Sequence, residues 1–113
     1  MAKKIIPTKV PMREQPASER IHNYQEVPYG YTPEQAMEEA IRCLQCAKPT
    51  CMDGCPVNVD IPGFLALVAD GDLQGAVELI KKTNALPAIT GRVCPQEVQC
   101  EGVCVLHKKY EPV

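Results

Sequence analysis

Seven cysteines are the residues of this 113-residue chain whose type and spacing point most directly to chemistry. They fall in two runs, spaced C-x2-C-x4-C-x3-C-P and C-x5-C-x3-C: Cys43, Cys46, Cys51 and Cys55, then Cys94, Cys100 and Cys104. Cysteine thiolates are soft ligands that suit zinc and iron–sulfur clusters. In two-cluster bacterial ferredoxins the last cysteine of a C-x2-C-x2-C-x3-C-P run, the one before proline, ligates the other cluster. The first run here differs from that pattern in its middle gap.

Three kinds of cysteine site compete for this pattern. Structural disulfides are disfavoured by the odd number of cysteines and by a reducing compartment. Zinc favours paired C-x2-C motifs or mixed Cys/His sets, but there is one C-x2-C here, and His22 and His107 stand at no ligand spacing and are expected to be surface residues. Iron–sulfur clusters therefore fit best. Seven ligands are one short of two four-cysteine sites, so either one site is incomplete or another residue supplies the eighth ligand.

Composition limits the chain to one modest domain with few aromatic residues. It has no Trp and one Phe, so the core must be aliphatic, and a metal centre would supply cohesion that such a short chain lacks. The net charge of −2 indicates neither a nucleic-acid partner nor an anionic membrane surface. The longest apolar run, residues 64–69, is too short to span a membrane, and the N-terminus has no signal-peptide core. We expect a cytoplasmic protein.

Three amphipathic helices are predicted to position the cysteines. The first begins after Thr32, where Thr32 and Gln35 form a capping box around Pro33, and is expected to carry Cys43 and Cys46 on one face of its C-terminal end. On its polar side Glu38 and Arg42 are expected to pair. The second begins at Asp60 or Ile61 and the third after Asp72.

The remaining segments are predicted to be irregular. Residues 1–31, with four prolines, form an extended arm that is either a disordered tail or a strap over the domain or a partner. Residues 48–60 form a loop around a site, and the chain from Leu86 onward is short-range structure. Residues 32–113 thus form an all-α domain with metal-binding loops between helices.

The cysteine motifs resemble those of a known family. The sequences CLQC, PTC, GCPV and DIP at residues 43–62, followed by GRVCP and CEGVC at residues 91–104, are similar to the N-terminal domain of the glutamate synthase small (beta) subunit family. Related domains begin dihydropyrimidine dehydrogenase and the large subunit of NADH-dependent ferredoxin:NADP oxidoreductase. The resemblance spans residues 20–113, nearly the whole chain, and includes all seven cysteines.

This resemblance implies an α-helical ferredoxin-like fold with two [4Fe–4S] clusters. Four cysteines would hold cluster 1 and are called the first thiol group: Cys43, Cys46, Cys51 and Cys104. Three would hold cluster 2 and are called the second thiol group: Cys55, Cys94 and Cys100. The fourth ligand of cluster 2 would be a Glu or Gln beyond residue 113. The chain would be excised from a larger NAD(P)H-dependent oxidoreductase.

In the intact family enzyme, electrons from NADPH pass through FAD, and the clusters relay them to a large catalytic subunit. The FAD- and NADPH-binding domains would lie downstream, since no G-x-G-x-x-G motif occurs here. No side chain of this segment would be catalytic. The alternative from another class is a structural or interaction domain, filled with zinc or holding clusters without redox turnover.

Four residues beside the cysteines have two possible roles each. Gly54 and Gly102 would let backbone N–H groups approach the cluster sulfurs, or only form loops. Arg92 and Lys48 would stabilise anionic clusters, or only form a charged surface.

Overall fold

Six short α-helices and two 3-10 turns make up residues 3–113, the part of the chain that the computed structural model describes. The helices are α1 (Ala17–Arg20), α2 (Pro33–Ile41), α3 (Thr50–Asp53), α4 (Ile61–Ala69), α5 (Leu73–Lys81) and α6 (Pro87–Val93). The 3-10 turns are Gln96–Val98 and Val105–Lys108. Within these residues the backbone forms no strand, apart from one isolated bridge between Glu14 and Pro28. The predicted all-α class is confirmed.

Side-chain caps start the three longest helices where the sequence predicted them. At α2 the Thr32 hydroxyl accepts from the Gln35 N–H at 3.2 Å, and the Gln35 side chain accepts from the Thr32 N–H at 3.0 Å. Asp60 and Asp72 accept from the third backbone N–H of α4 and α5 at 3.0 and 2.9 Å. Each cap satisfies a donor that the helix itself leaves unpaired.

Helix α4 lies between α2 and α5 and packs against both. The buried apolar residues are small or aliphatic, as the composition predicted: Ala40, Cys43, Val59, Ala76 and Leu106. No helix in residues 3–113 has the length and apolar character that crossing a bilayer requires.

The prediction that α2 carries Cys43 and Cys46 on one face is wrong. The helix ends at Ile41, and the next two residues close it with tighter bonds, from the Arg42 N–H to Glu39 O and from the Cys43 N–H to Ala40 O. Gln45 then has a φ of 54°, in the left-handed region. The two cysteines therefore sit on an irregular segment.

Three helices lie in segments predicted to be irregular, the first being α1 in the predicted arm. Helix α3 is a single turn inside the 48–60 loop, and α6 follows Leu86 with Pro87 in its first turn. Helix α6 shows no buried apolar stripe because Ile89 and Val93 are exposed, which explains why helical periodicity does not reveal it.

The predicted pair of Glu38 and Arg42 is replaced by a buried pair. Arg42 contacts Glu39 instead, at 2.6 Å between Nη1 and Oε1, and its side chain is fully enclosed. This face of α2 is polar but not exposed, because segments from both ends of the chain cover it.

Residues 3–31 form the described part of the predicted arm, and residues 1 and 2 lie outside the described residues. Backbone bonds from Gln15 N–H to Val27 O and from Tyr29 N–H to Arg13 O, both 2.8 Å, fold residues 13–29 back on themselves around α1. Residues 3–10, called the strap, lie along the end of α2. The strap also meets the C-terminal tail, where the Glu111 N–H donates to Pro7 O at 3.0 Å.

Candidate metal centre

All seven cysteines predicted as site residues line one cavity of about 500 Å³ at the centre of the domain. Four separate segments deliver them: the irregular stretch after α2, α3 with the turn that follows it, the C-terminal end of α6, and the loop between the two 3-10 turns. Apolar side chains form much of the remaining wall, among them Val59, Phe64, Leu65 and Leu106. The cavity therefore brings together residues that are far apart in the sequence.

Cys51 and Cys100 have different thiols as their electrostatic neighbours. The thiols that act on Cys51 are the other three members of the first thiol group: Cys104, Cys43 and Cys46. The thiol that acts on Cys100 is Cys55, a member of the second thiol group. Cys94 lines the same cavity at the C-terminal end of α6.

Burial raises the pKa of the cysteine thiols that are most enclosed. It is the main cause that brings the pKa of Cys51 to about 11, and nearby thiols add to the rise. Burial also raises the pKa of Cys43, which is 9% exposed, and of Cys100. Thiolates are the form that binds metal, so a metal that enters this cavity must displace protons.

Backbone N–H groups already face three of these sulfurs. They belong to Gln45 at Cys43, Met52 at Cys51 and Glu101 at Cys100, and each opposes the rise in pKa. Hydrogen bonds to cluster sulfurs are one means by which a protein sets reduction potential. The sequence analysis missed these residues. Their only signal is position, because two of them directly follow a cysteine and Gln45 lies two residues after one.

Gly54 has a packing role in the structure. Its N–H donates to Thr50 O at 3.1 Å within α3. A Cβ at this position would lie 2.6 Å from Val103 Cγ2 and 2.8 Å from Gln99 O, so glycine lets α3 approach the loop between the 3-10 turns. Gly102 permits a similar approach, since a Cβ there would lie 2.8 Å from Glu97 O.

The predicted cationic neighbours face away from the cavity lining. Arg92 binds Glu26 at 2.6 Å and the Ala88 carbonyl at 2.6 Å, and both members of the ion pair are more than half exposed. Lys48, His22 and His107 are exposed. Arg92 and Lys48 thus have the surface role that was the alternative for them, and His22 and His107 have the surface role that was expected.

The donor set of this cavity fits an iron–sulfur site. Within residues 3–113 all seven cysteines are free thiols and none forms a disulfide. No three His, Cys, Asp or Glu side chains in this range converge closely enough to hold a lone metal ion. The thiols surround a largely apolar space, and soft sulfur ligands in an apolar setting are those that iron–sulfur clusters use.

Comparisons with known proteins agree with this donor set. Residues 20–113 match the family described as dihydropyrimidine dehydrogenase domain II, 4Fe-4S cluster. Glutamate synthase [NADPH] small chains from Halomonas elongata and Azospirillum brasilense are each 42% identical, over 88% and 84% of this chain. The putative oxidoreductase UacF of Escherichia coli is 45% identical over 80% of it.

These relatives are much longer proteins. The matched region covers 21%, 20% and 14% of their respective lengths. The family match covers most of the present chain, and it includes every cysteine of the cavity. The chain belongs to the 4Fe-4S domain family of dihydropyrimidine dehydrogenase type, together with domains of glutamate synthase small chains.

Proposed function

We propose that this chain is an iron–sulfur electron-relay domain with two [4Fe–4S] clusters. The first thiol group holds cluster 1. The second thiol group holds three corners of cluster 2, whose fourth ligand is a Glu or Gln beyond residue 113. The observation that supports this most is the meeting of seven free thiols from four segments around one apolar cavity.

The clusters, when bound, supply one-electron transfer without bond-making by side chains. The chain's own residues hold, shield and tune them. The cysteines provide thiolates, the aliphatic wall excludes water, and the amides of Gln45, Met52 and Glu101 donate to sulfur. None of these residues needs to move a proton during electron transfer.

The parent protein would be an NADPH-dependent oxidoreductase of the glutamate synthase small-chain type, acting in the cytoplasm. In it, FAD- and NADPH-binding domains would deliver electrons, and a large catalytic subunit would receive them. The names of the relatives support this assignment, since two are glutamate synthase [NADPH] small chains and a third is a putative oxidoreductase.

Counting iron and acid-labile sulfide in anaerobically prepared protein tests the cluster proposal. About eight irons with equal sulfide is the expected result if both sites fill, and about four if only the first thiol group does. A brown colour that dithionite bleaches would identify a redox-active cluster. Colourless protein with stoichiometric zinc would contradict the proposal and favour a structural module.

A further inference from the structure

A buried arginine joins both ends of the chain beside the first thiol group. Arg42 is 2% exposed and immediately precedes Cys43. Its guanidinium binds the Glu39 carboxylate at 2.6 Å. It also donates to four backbone carbonyls, two on the strap and two on the tail: those of Ile6, Pro7, Glu111 and Pro112.

The strap that Arg42 holds is tied to residues that line the cavity. The Val10 N–H donates to Glu39 Oε2 at 2.7 Å, and the Lys9 ammonium lies 2.9 Å from Glu101 Oε2. Both carboxylates belong to cavity-lining residues. At the other end of the strap the Lys3 ammonium donates to the carbonyl of Cys43 itself. The strap thus runs from Cys43 of the first thiol group to the loop that carries Cys100 and Cys104.

The chemistry of this contact requires arginine. Burying a charge is costly unless it is paired and its donors are satisfied. A guanidinium offers five N–H donors in a fixed plane, so it can serve one carboxylate and carbonyls from two segments together. A lysine in this place would keep the charge but could not hold the strap and the tail at once. Neither segment has a helix or strand of its own to keep it there.

We infer that Arg42 is a positioning residue for the first thiol group. It fastens the strap and the tail over Cys43, and so limits the access of solvent and small molecules to a cluster bound there. The inference rests on the proposed function, because it assumes that the first thiol group holds a cluster. It adds a residue outside the cysteine set that controls the exposure of cluster 1 more than that of cluster 2.

Arg42→Gln in the full chain, loaded anaerobically with iron and sulfide, tests this inference. The rate at which the chelator bipyridyl removes iron from the reduced protein should rise by about tenfold for the four irons of cluster 1, since opening the strap then costs fewer charge-assisted hydrogen bonds. Trypsin should also cut faster after Lys4 and Lys9, which lie in the strap. Arg42→Lys should rescue little of either effect.

Arg92→Gln is the matched control. It removes an arginine near Cys94 that is also paired with a carboxylate, but whose side chain is 60% exposed and binds neither chain end. Its iron release and strap cleavage should equal those of the unmodified chain. Lys9→Gln is a milder variant that removes the partly exposed ion pair between the strap and Glu101 and changes no buried residue. It serves as the test of the inference if Arg42→Gln does not fold.

The outcomes separate this inference from the proposed function. Faster strap cleavage with unchanged iron release would overturn the inference, as would equal acceleration of both clusters. Unchanged cleavage and release in Lys9→Gln, should that variant decide the matter, would also count against it. An unmodified chain that binds no iron under these conditions would overturn the proposed function, and the inference with it.

Discussion

The first and second thiol groups line the same cavity but are enclosed by different means. Long-range polar contacts enclose the first group, because the strap, the tail and the end of α2 meet at Arg42. The second group lies beside α6 and the turn at residues 96–98, a region whose apolar residues Ile89, Val93 and Val98 are exposed. The first group therefore lies beside segments from both ends of the chain, and the second lies beside a region with exposed apolar residues.

Under the proposed function, holding the clusters and enclosing them are separate requirements in this domain. The cysteines would hold the clusters, whereas the strap and the tail would enclose one of them. Cys43, in the group with four thiols, is the only buried cysteine in residues 3–113, and the other six are partly exposed. Variants in the two groups should therefore differ in the size of their effects.

Removing one thiol from either group should have the largest effect. Cys51→Ala is expected to abolish cluster 1 and Cys55→Ala cluster 2, because alanine offers no ligand and each cluster needs its thiolates. Iron analysis and electron paramagnetic resonance of the reduced protein would measure the loss. If Cys51→Ala and Cys55→Ala removed the same signal, the division into two groups would be wrong.

Among the remaining variants, truncating Leu106, a buried residue two positions after Cys104, should reduce stability the most. Leu106 is 3% exposed and lines the cavity, so Leu106→Ala should lower the free energy of unfolding by roughly 2–5 kcal/mol. Val98, which lies near the second thiol group, is 73% exposed. Val98→Ala should therefore change the free energy of unfolding by less than about 0.5 kcal/mol. Anaerobic urea unfolding followed by circular dichroism compares them, and equal losses would contradict the contrast.

Adding a methyl group at Gly54 should disturb both thiol groups. Gly54→Ala places a Cβ against Val103 and the Gln99 carbonyl, and overpacking of this kind costs roughly 1–3 kcal/mol. Because α3 carries Cys51 and the next turn carries Cys55, we expect reduced iron content in both clusters. A variant with full iron content and unchanged stability would show that the loop between the 3-10 turns yields easily.

Removing the cap of α2 should have the smallest effect. Thr32→Ala deletes the hydroxyl that accepts from the Gln35 N–H and should cost about 1 kcal/mol of stability. Helix α2 leads into the first thiol group, so hydrogen exchange should speed up in α2 and leave α6 unchanged. Thr32→Ser, which keeps the hydroxyl, is the control and should behave as the unmodified chain does.

The parts of the fold that the sequence predicted are those governed by neighbouring residues. Helices α2, α4 and α5 begin with a capping side chain and a recognisable apolar spacing, and their starts are correct. Helix α6 was not predicted because its apolar side chains Ile89 and Val93 are exposed and Gly91 lies within it. The end of α2 was misplaced because residues 42–47 contain no glycine or proline that would mark it.

The candidate site was likewise predicted only in part. The cysteines were identifiable because their type and spacing are chemically specific, and all seven line the cavity. Arg42 was not, since an arginine at a polar position of an amphipathic helix ordinarily faces water. Its burial depends on the carbonyls of Ile6 and Pro112, which are distant in the sequence, so no local pattern predicts these partners.

The contact between Pro7 and Glu111 has a consequence for how the protein matures. This hydrogen bond closes a loop from residue 7 to residue 111, so it forms only once the intervening helices have brought the two segments together. If the thiols hold clusters as proposed, they stay accessible for loading until that moment. Pulse-labelled hydrogen exchange should accordingly find the Glu111 amide among the last to gain protection.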